Sequence, residues 1–269
     1  MALHVIAFSP TGTSLRTARA VAEGFGAGQT VVHDLTLPKG CGETAVPRGD
    51  VAVVAVPVYG GHVPQPAAER LRRVHGDATP AVAIVVYGNR ACDGALAELD
   101  ALLRGQGFRV VAAGSFVGEH SYSTAGSPIA AARPDAADAA VAKRFGEAVR
   151  RKVDAGAPAE VDVGRIAKSA GPVLGRLRFV WGVVKLLCSG NMGPKRPAAD
   201  AELCSGCGSC AEVCPAEAVI SGTETDAERC IRCCACVKAC PSGARTFATP
   251  FSELLSRSFP DRKEPQTLL

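Results

Sequence analysis

The sequence lacks the features that mark secreted, membrane-spanning and nucleic-acid-binding proteins. Its N-terminus runs directly into the apolar segment from Leu3 to Phe8, with no basic region or cleavage signal before it. It has no stretch of roughly 18 uncharged apolar residues, so we expect no membrane span. A net charge of only +4 is too weak to indicate a nucleic-acid partner. Together these absences predict a cytoplasmic protein.

Cysteine is scarce over most of the chain and concentrated in one segment. Of the twelve cysteines, only Cys41, Cys92 and Cys188 precede residue 200, and the other nine fall between Cys204 and Cys240. Disulfides belong to oxidising compartments, whereas clustered cysteines without a secretory signal are typical of metal sites. We therefore predict that the C-terminal cysteines are metal ligands.

The first 154 residues alternate short apolar runs with helical stretches. The runs are rich in Val, Ile and Ala: Ala2–Phe8, Gln29–His33, Val51–Val56, Ala81–Val86 and Val110–Val117. The helical candidates are Thr13–Phe25, Pro66–Val74, Ala91–Arg104 and Pro134–Asp154. Strands this apolar are buried on both faces, as in a parallel sheet covered by helices. The pattern predicts an α/β domain with a doubly wound, five-stranded parallel sheet.

A basic segment separates this predicted domain, residues 1–154, from the cysteine-rich region. We assign residues 155–199 to a linker, 200–249 to a second domain and 250–269 to a C-terminal tail. From Gly164 to Ala199 there is no Asp or Glu, and a predicted helix spans Val173–Cys188. The positive charges of this stretch are Arg165, Lys168, Arg176, Arg178, Lys185, Lys195 and Arg196. The helix is either a basic linker packed between the domains or a docking surface for an acidic protein or a membrane face.

The cysteine-rich region contains two copies of one motif. Residues 204–215 and 230–241 both read C-x₂-C-x₂-C-x₃-C-P, and the second copy starts 26 residues after the first. Three cysteines at two-residue gaps can bind one iron–sulfur cubane, whereas the fourth points away and ligates the other cluster. One predicted cluster site therefore comprises Cys204, Cys207, Cys210 and Cys240. The other comprises Cys230, Cys233, Cys236 and Cys214.

Zinc is the alternative metal for this region, but it usually takes two C-x-x-C knuckles or a Cys/His mixture, which two three-cysteine loops do not suit. Cys234 is surplus to the motif and is predicted to be a small buried residue, since only Cys233 keeps both spacings. Residues 200–249 resemble bacterial-type two-cluster ferredoxins at all eight ligand positions and both prolines. The resemblance implies a small α+β domain with two [4Fe–4S] clusters.

A hydroxyl-rich loop follows the first predicted strand and precedes the first helix. It reads Ser9-Pro10-Thr11-Gly12-Thr13-Ser14. A phosphate can lie at the helix N-terminus, where free backbone N–H groups point at it, and Gly12 allows a close approach. The loop lacks the Gly and Lys of a P-loop, so it does not predict a nucleotide triphosphate.

Two further loops follow the third and fourth predicted strands. They read Pro57-Val58-Tyr59-Gly60-Gly61 and Tyr87-Gly88-Asn89-Arg90. Ligands of doubly wound sheets bind at the carboxyl ends of the strands, where Tyr59 and Tyr87 could contact a flat aromatic cofactor. The alternative is that the Gly, Asn and Pro residues only form turns. Three such loops at one sheet edge indicate a ligand site more strongly than any one alone.

The hydroxyl-rich loop resembles the flavodoxin phosphate loop, [Ser/Thr]-x-Thr-Gly-x-[Thr/Ser], and the resemblance covers about residues 1–154. It implies FMN, with the phosphate at Ser9, Thr11, Gly12, Thr13 and Ser14 and the ring between the other two loops. The sequence departs from common flavodoxins in lacking an acidic surface and a tryptophan at the ring, since its only Trp, Trp181, lies in the linker. The whole chain resembles the flavodoxin–ferredoxin fusion proteins of bacteria and archaea, which implies electron transfer.

Two functions are consistent with this combination. As a carrier, the chain shuttles single electrons between two [4Fe–4S] clusters and FMN and delivers them to a partner enzyme. No G-x-G-x-x-G follows a strand, so no NAD(P)H site is visible and we expect electrons to arrive from a redox partner protein. As an FMN-dependent reductase, the chain delivers hydride to a small oxidised substrate, which requires a proton source near the flavin.

The segment Gly118–Ser123 follows the fifth strand and contains a candidate proton source. His120 titrates near neutrality and could supply a proton, with Glu119 orienting it. The alternative is a polar loop that caps the sheet edge or contacts the flavin. A different class of function is a degenerate flavin site that leaves a scaffold beside a ferredoxin. The oligomeric state stays open, so flavin and clusters meet either within one chain or across two.

Overall fold

The structure is a computed structural model and describes residues 1–168 and 171–269. Its strands are β1 Leu3–Ala7, β2 Thr30–Asp34, β3 Thr44–Val46, β4 Val51–Pro57, β5 Val74–Gly76, β6 Thr79–Tyr87, β7 Phe108–Val117, β8 Ala198–Ala199, β9 Arg245–Thr246 and β10 Gln266–Leu268. Its α-helices are α1 Thr13–Phe25, α2 Gln65–Leu71, α3 Ala95–Gly105, α4 Ala136–Asp154, α5 Val173–Cys188, α6 Ser209–Glu212, α7 Ala235–Lys238 and α8 Pro250–Ser258.

Within the described residues, the largest sheet has six strands in the order β10-β7-β6-β4-β1-β2. Five of them are parallel, and they are the five strands that the apolar runs predicted. In chain order these five follow the 2-1-3-4-5 arrangement of flavodoxin-like sheets. The sixth strand, β10, pairs antiparallel with β7, with Thr267 opposite Gly114. The predicted count of five is therefore wrong by one, because this short, partly exposed edge strand has no apolar run.

Helices cover both faces of the sheet, as predicted for a doubly wound domain. Helices α1 and α4 pack on one face, where Val21 and Phe145 belong to the buried core. Helices α2 and α3 pack on the other face, where Leu71 and Leu99 are buried. The two apolar layers leave the carboxyl ends of the parallel strands open for the loops that follow them.

Three helices are shorter than predicted: α3 begins at Ala95 instead of Ala91, α4 begins at Ala136 instead of Pro134, and α2 ends early. We expected a helix over Pro66–Val74, but α2 covers Gln65–Leu71, and Val74 begins β5, which pairs in parallel with β3. The β-branched Val74 is buried in this pair, and such residues fit extended backbone better than a helix end.

The two copies of the cysteine motif share their backbone conformation as well as their sequence pattern. The four-residue helices α6 and α7 begin at Ser209 and Ala235, which are 26 residues apart. The residue just before each helix, Gly208 or Cys234, has the left-handed conformation, with φ of 79° and 57°. The antiparallel pair β8–β9 flanks this double loop.

Residues 250–269, which we predicted as a tail, return to the first domain as α8 and β10. The side-chain amide of Asn89 donates hydrogen bonds to the carbonyl oxygens of Phe259 and Asp261, at 2.8 and 3.0 Å. Lys263 Nζ donates to the Arg90 carbonyl oxygen at 2.6 Å. The chain therefore passes from the first domain to the cysteine-rich region and back again.

Helix α5 occupies the basic segment, and its predicted bounds, Val173–Cys188, are confirmed. It packs on α8, where the Phe179 and Phe259 ring centres are 5.6 Å apart. The contact is close, since a Cβ on Gly175 would overlap the Ser258 carbonyl oxygen. Across the part of the chain that the structure describes, no helix is long and apolar enough to cross a membrane.

Candidate functional site

A cavity of about 570 Å³ lies at the carboxyl ends of the parallel strands. Ten of the predicted cofactor-binding residues line it: Thr11, Thr13, Pro57, Val58, Tyr59, Gly60, Gly61, Tyr87, Gly88 and Arg90. The other four predicted residues, Ser9, Gly12, Ser14 and Asn89, lie outside this lining. The sheet brings the three loops together because β1, β4 and β6 are parallel and end at the same edge.

The hydroxyl-rich loop turns tightly into α1. Gly12 precedes the helix with a φ of +81°, a conformation that glycine adopts without a Cβ penalty. The Leu15 backbone N–H donates to Ser9 Oγ at 3.0 Å. Ser14 is fully buried, and its Oγ has no hydrogen-bond partner among the described residues. A buried hydroxyl without a partner is costly, so the loop fits a further acceptor such as a phosphate at the helix N-terminus.

Two tyrosines contribute neutral rings to the cavity. Tyr59 lies in a turn closed by two backbone hydrogen bonds with His62, at 3.0 and 3.1 Å. Burial, and secondarily the nearby Cys233 thiol, raises the pKa of Tyr59 well above its usual value. Burial also raises the pKa of Tyr87 to about 12. Both phenols therefore stay protonated at physiological pH, as suits contact with a flat aromatic ligand.

The loop after β6 connects the cavity to the C-terminal part of the chain. The Asn89 side-chain amide donates to the Phe259 carbonyl oxygen, and Asn89 does not line the cavity. Arg90 forms an ion pair with Asp93, and its guanidinium lies 5.7 Å from the centre of the Phe179 ring. Of these two predicted cofactor residues, the structure places only Arg90 at the cavity.

The outer wall of the cavity comes from the C-terminal half of the chain. It consists of Phe179 and Val183 of α5, Phe251 and Leu255 of α8, and Ile231 and Arg232 of the second cysteine loop. Our sequence analysis missed these residues because none of them belongs to a flavin-binding motif. Apart from Arg232 these residues are apolar, which was the only available signal and is equally typical of an ordinary core.

His120 also lines the cavity, but Glu119 does not orient it as we predicted. The Tyr122 backbone N–H donates to His120 Nδ1 at 3.0 Å. A Glu119 carboxylate oxygen instead accepts from Lys238 Nζ of the cysteine-rich region at 3.2 Å. Burial, with smaller contributions from neighbouring cations, lowers the pKa of His120 to about 4. The imidazole is therefore neutral at physiological pH, so it carries no spare proton on Nδ1.

The cysteines of the two repeats surround two small, separate cavities. Cys204, Cys207, Cys210 and Cys240 line one of them. Cys214, Cys230, Cys233 and Cys236 line the other. The structure thus brings the predicted ligands together in the two predicted sets. Among residues 1–168 and 171–269, no three His, Cys, Asp or Glu side chains converge as they would on a single metal ion. The thiols of each set instead lie around a cavity.

The first cysteine cavity, lined by Cys204, is close to the protein surface. Cys207 is exposed, and the Ser209 hydroxyl lies 3.4 Å from its Sγ. This contact lowers the pKa of the Cys207 thiol, and Ser242 has the same effect on Cys240. A lower pKa favours the thiolate, which is the form that binds iron.

The second cysteine cavity, lined by Cys233, is buried and adjoins the large cavity. Burial raises the pKa of Cys233 to about 12, so the free thiol stays protonated until a metal displaces the proton. Ile231 lines this cavity as well as the large one, and its neighbour Arg232 lines the large one. One loop is therefore the common wall of the two sites.

The backbone also distinguishes Cys233 from Cys234. Both residues border the second cavity. Cys234 is the left-handed residue that corresponds to Gly208 of the first repeat, which makes Cys233 the counterpart of Cys207. The repeat geometry thus assigns the ligand position to Cys233 and leaves Cys234 as a buried residue beside it.

Comparison with known proteins identifies the cysteine-rich region. Residues 196–241 match the family described as 4Fe-4S dicluster domain. This range contains both copies of the cysteine motif up to the second Cys-Pro. None of the curated proteins matches the chain.

Solved structures similar to this chain include flavodoxins and another flavoprotein. A flavodoxin from the domain Archaea is 15% identical with a TM-score of 0.38, over 57% of this chain and 99% of that one. The Streptococcus pneumonia TIGR4 flavodoxin is 18% identical with a TM-score of 0.39, over 56% and 99%. The apo form of the NADH:FMN oxidoreductase EMOB is 17% identical with a TM-score of 0.40, over 56% and 88%. These likenesses are weak, and it is the strand order that identifies the fold of the first domain.

Two observations describe the two ordered parts that the sequence predicted: the strand order of the first domain and the family match of the cysteine-rich region. Neither depends on the other, since they concern separate parts of the sequence. The chain joins a domain with the strand order of flavodoxin-like sheets to a segment that matches the 4Fe-4S dicluster domain.

Proposed function

We propose that this protein is an electron carrier that shuttles single electrons between two [4Fe–4S] clusters and FMN and delivers them to a partner enzyme. When bound, the clusters exchange one electron at a time and FMN holds one or two. The observation that carries the proposal is the shared loop, because Ile231 borders both the second cysteine cavity and the large cavity. The exposed first cysteine cavity, the buried second one and the large cavity then form a path inward from the surface.

The large cavity has the properties that FMN requires. The hydroxyl-rich loop contributes Thr11 and Thr13 to its lining. The unpartnered Ser14 hydroxyl lies outside the lining, in the first turn of α1, and suits a phosphate at this helix N-terminus. The cavity walls carry the neutral rings of Tyr59 and Tyr87 and the apolar side chain of Phe179, which suit a flat aromatic ring system. We infer that Thr11 and Thr13 face the phosphate end and that the tyrosines face the ring.

Replacing Ser14 with Ala is expected to weaken FMN binding by roughly tenfold to a hundredfold, because a hydrogen bond to a charged group contributes about 1.5–3 kcal/mol. The measurement is flavin fluorescence during titration of the flavin-depleted protein. Thr17→Ala is the matched control, since this buried hydroxyl on the same helix already donates to the Thr13 carbonyl oxygen at 3.1 Å. Unchanged affinity in Ser14→Ala, or an equal loss in both variants, would contradict a phosphate at this hydroxyl.

The arrangement of the loop after β7 favours the carrier over the reductase. A reductase needs a proton donor at the flavin, but His120 is neutral and its Nδ1 accepts a hydrogen bond from the backbone. Glu119 is paired with Lys238 of the cysteine-rich region. We infer that these two residues belong to a polar loop at the sheet edge, which is the alternative that the sequence left open for this segment. The ion pair of Glu119 with Lys238 also joins this loop to the cysteine-rich region.

Anaerobic purification followed by cofactor analysis tests the proposal. We expect about eight irons, a matching amount of acid-labile sulfide and one FMN per chain. After rapid mixing with a one-electron reductant, flavin bleaching should have a limiting rate constant that does not change with protein concentration, because the path lies within one chain. A rate proportional to protein concentration would place the transfer between chains. A colourless protein, or one that holds zinc, would overturn the proposal.

A further inference from the structure

Helix α5 has an apolar face that points away from the protein. With about 3.6 residues per turn, its outward residues fall in one unbroken arc of roughly 140°. These residues are Leu187, Val180, Val173, Val184, Leu177, Cys188, Trp181 and Leu174. The seven large hydrophobic side chains among them are 50–74% exposed. Exposed apolar surface of this extent on one element marks an interaction site.

Contacts on the opposite face of α5 hold the helix in this orientation about its axis. Gly175 is buried against Ser258, and Phe179 packs on Phe259. A Cβ on Gly182 would overlap the Leu254 side chain, so the helix cannot turn about its axis without losing this contact. The helix therefore has two apolar faces, of which the described residues cover only the inner one.

Positive charges border the outer face on both sides. By helical periodicity, Arg176 lies at one edge of the arc, and Lys185 and Arg178 lie at the other. No acidic residue occurs between Gly164 and Ala199, so nothing in the segment neutralises these cations. Long cationic side chains at the edges of an apolar face can reach lipid phosphates while the face itself contacts acyl chains. Tryptophan is enriched at the same depth of a bilayer.

The same charges make a second copy of this chain a poor occupant. Two α5 faces packed together would bring two sets of arginine and lysine side chains to one interface, and the segment offers no carboxylate between them. An anionic bilayer has negative phosphates at its surface and an apolar layer beneath them, which match the cationic edges and the apolar face of the helix.

We propose that α5 docks this protein on the surface of an anionic membrane, with the helix in the plane of the headgroups and its apolar face inserted. The proposal is independent of the redox function. It places Phe179 and Val183, which line the large cavity, on the protein side of the same helix.

Trp181 reports on this docking directly because it is the only tryptophan of the chain and is 74% exposed. The full-length protein with its cofactors is mixed at low salt with vesicles of phosphatidylglycerol and phosphatidylcholine, or of phosphatidylcholine alone. We expect sedimentation with the anionic vesicles, a blue shift of the Trp181 emission, and binding at least about tenfold tighter than to neutral vesicles. Raising the salt should weaken binding, because headgroup attraction is screened.

Two double variants and one control separate the contributions of the apolar face and of the cations to vesicle binding. Leu177→Glu with Val184→Glu, and Arg176→Glu with Lys185→Glu, should each weaken vesicle binding by roughly tenfold or more. Arg178 is left unchanged because it donates to the Arg257 carbonyl oxygen. Val32→Glu changes an exposed apolar residue of β2 and should bind as the unmodified protein does. Iron and flavin contents equal to those of the unmodified protein show that the variants are folded.

Three outcomes overturn the proposal. The first is no sedimentation with anionic vesicles and no shift of the Trp181 emission, which leaves an acidic protein as the occupant. The second is binding that Leu177→Glu with Val184→Glu does not reduce. The third is a dimer in light scattering that the same double variant converts to a monomer, which assigns the face to a second copy.

Discussion

Cys233→Ser is expected to remove about half of the iron, whereas Cys234→Gly is expected to leave the iron content unchanged. Serine is a poor ligand for a [4Fe–4S] cluster, and the repeat geometry makes Cys233 the equivalent of Cys207 in the first repeat. Cys234 has a left-handed φ of 57°, which costs a non-glycine residue about 1 kcal/mol or more. Glycine removes this strain and restores the residue type found at the same position of the first repeat.

Iron and sulfide analysis of anaerobically purified variants measures this effect. Cys207→Ser serves as the matched variant in the first site and should lose a similar amount of iron while Cys233 keeps its cluster. The flavin content should be equal in all three proteins, because none of these cysteines lines the large cavity. If the serine variant keeps its iron and the glycine variant loses it, the ligand is Cys234 and the register of the motif shifts by one residue.

Asp138→Ala is expected to lower the free energy of unfolding by about 3–5 kcal/mol, the typical cost of breaking a buried ion pair from one side. Arg133 and Asp138 are only 4% and 2% exposed, and Arg133 Nε lies 2.8 Å from an Asp138 oxygen. Removing the carboxylate leaves the Arg133 charge buried without compensation. The same arginine donates to the Lys263 carbonyl oxygen at 2.8 Å, so the change also loosens the C-terminal segment.

Denaturant titration followed by circular dichroism measures the loss. Asp154→Ala is the control, because its pair with Arg150 is solvent-exposed and such pairs contribute at most about 1 kcal/mol. Limited proteolysis adds a local test, since a loosened C-terminal segment should be cleaved near Lys263 sooner than in the unmodified protein. Equal unfolding midpoints for the two variants would show that the buried pair does not hold this region.

The sequence predicted the features that depend on local pattern. Four of the five parallel strands, β1, β4, β6 and β7, are buried on both faces, so each is an apolar run that can be recognised without knowledge of its neighbours. The edge strand β2 is partly exposed, so the expectation of burial on both faces is wrong for this strand. The cysteine motif fixes its own geometry, because spacings of two and three residues decide which thiols share a loop. The hydroxyl-rich loop was recognisable because Gly12 and its hydroxyl neighbours occur at fixed offsets from the helix start.

The features that depend on distant packing were not predictable in the same way. Strand β10 is polar in part and gains its partner only when the chain returns to β7. The pKa of His120 is lowered by burial and by two cations distant in sequence, Arg90 and Lys238, so its sequence neighbours suggested an ordinary, near-neutral histidine. The wall of the large cavity is missed for the same reason, since Phe251 and Ile231 belong to no flavin motif.

The pairing of β10 with β7 makes the first domain depend on residues that follow the cysteine-rich region. Residues 155–249 are thus inserted between two segments that belong to one sheet. The segment after them also carries Phe251 and Leu255, which line the large cavity, and the carbonyl oxygens that accept hydrogen bonds from Asn89. A fragment that stops before residue 250 would lack the edge strand and part of the cavity wall, so the first domain cannot be excised as one continuous piece with its cavity intact.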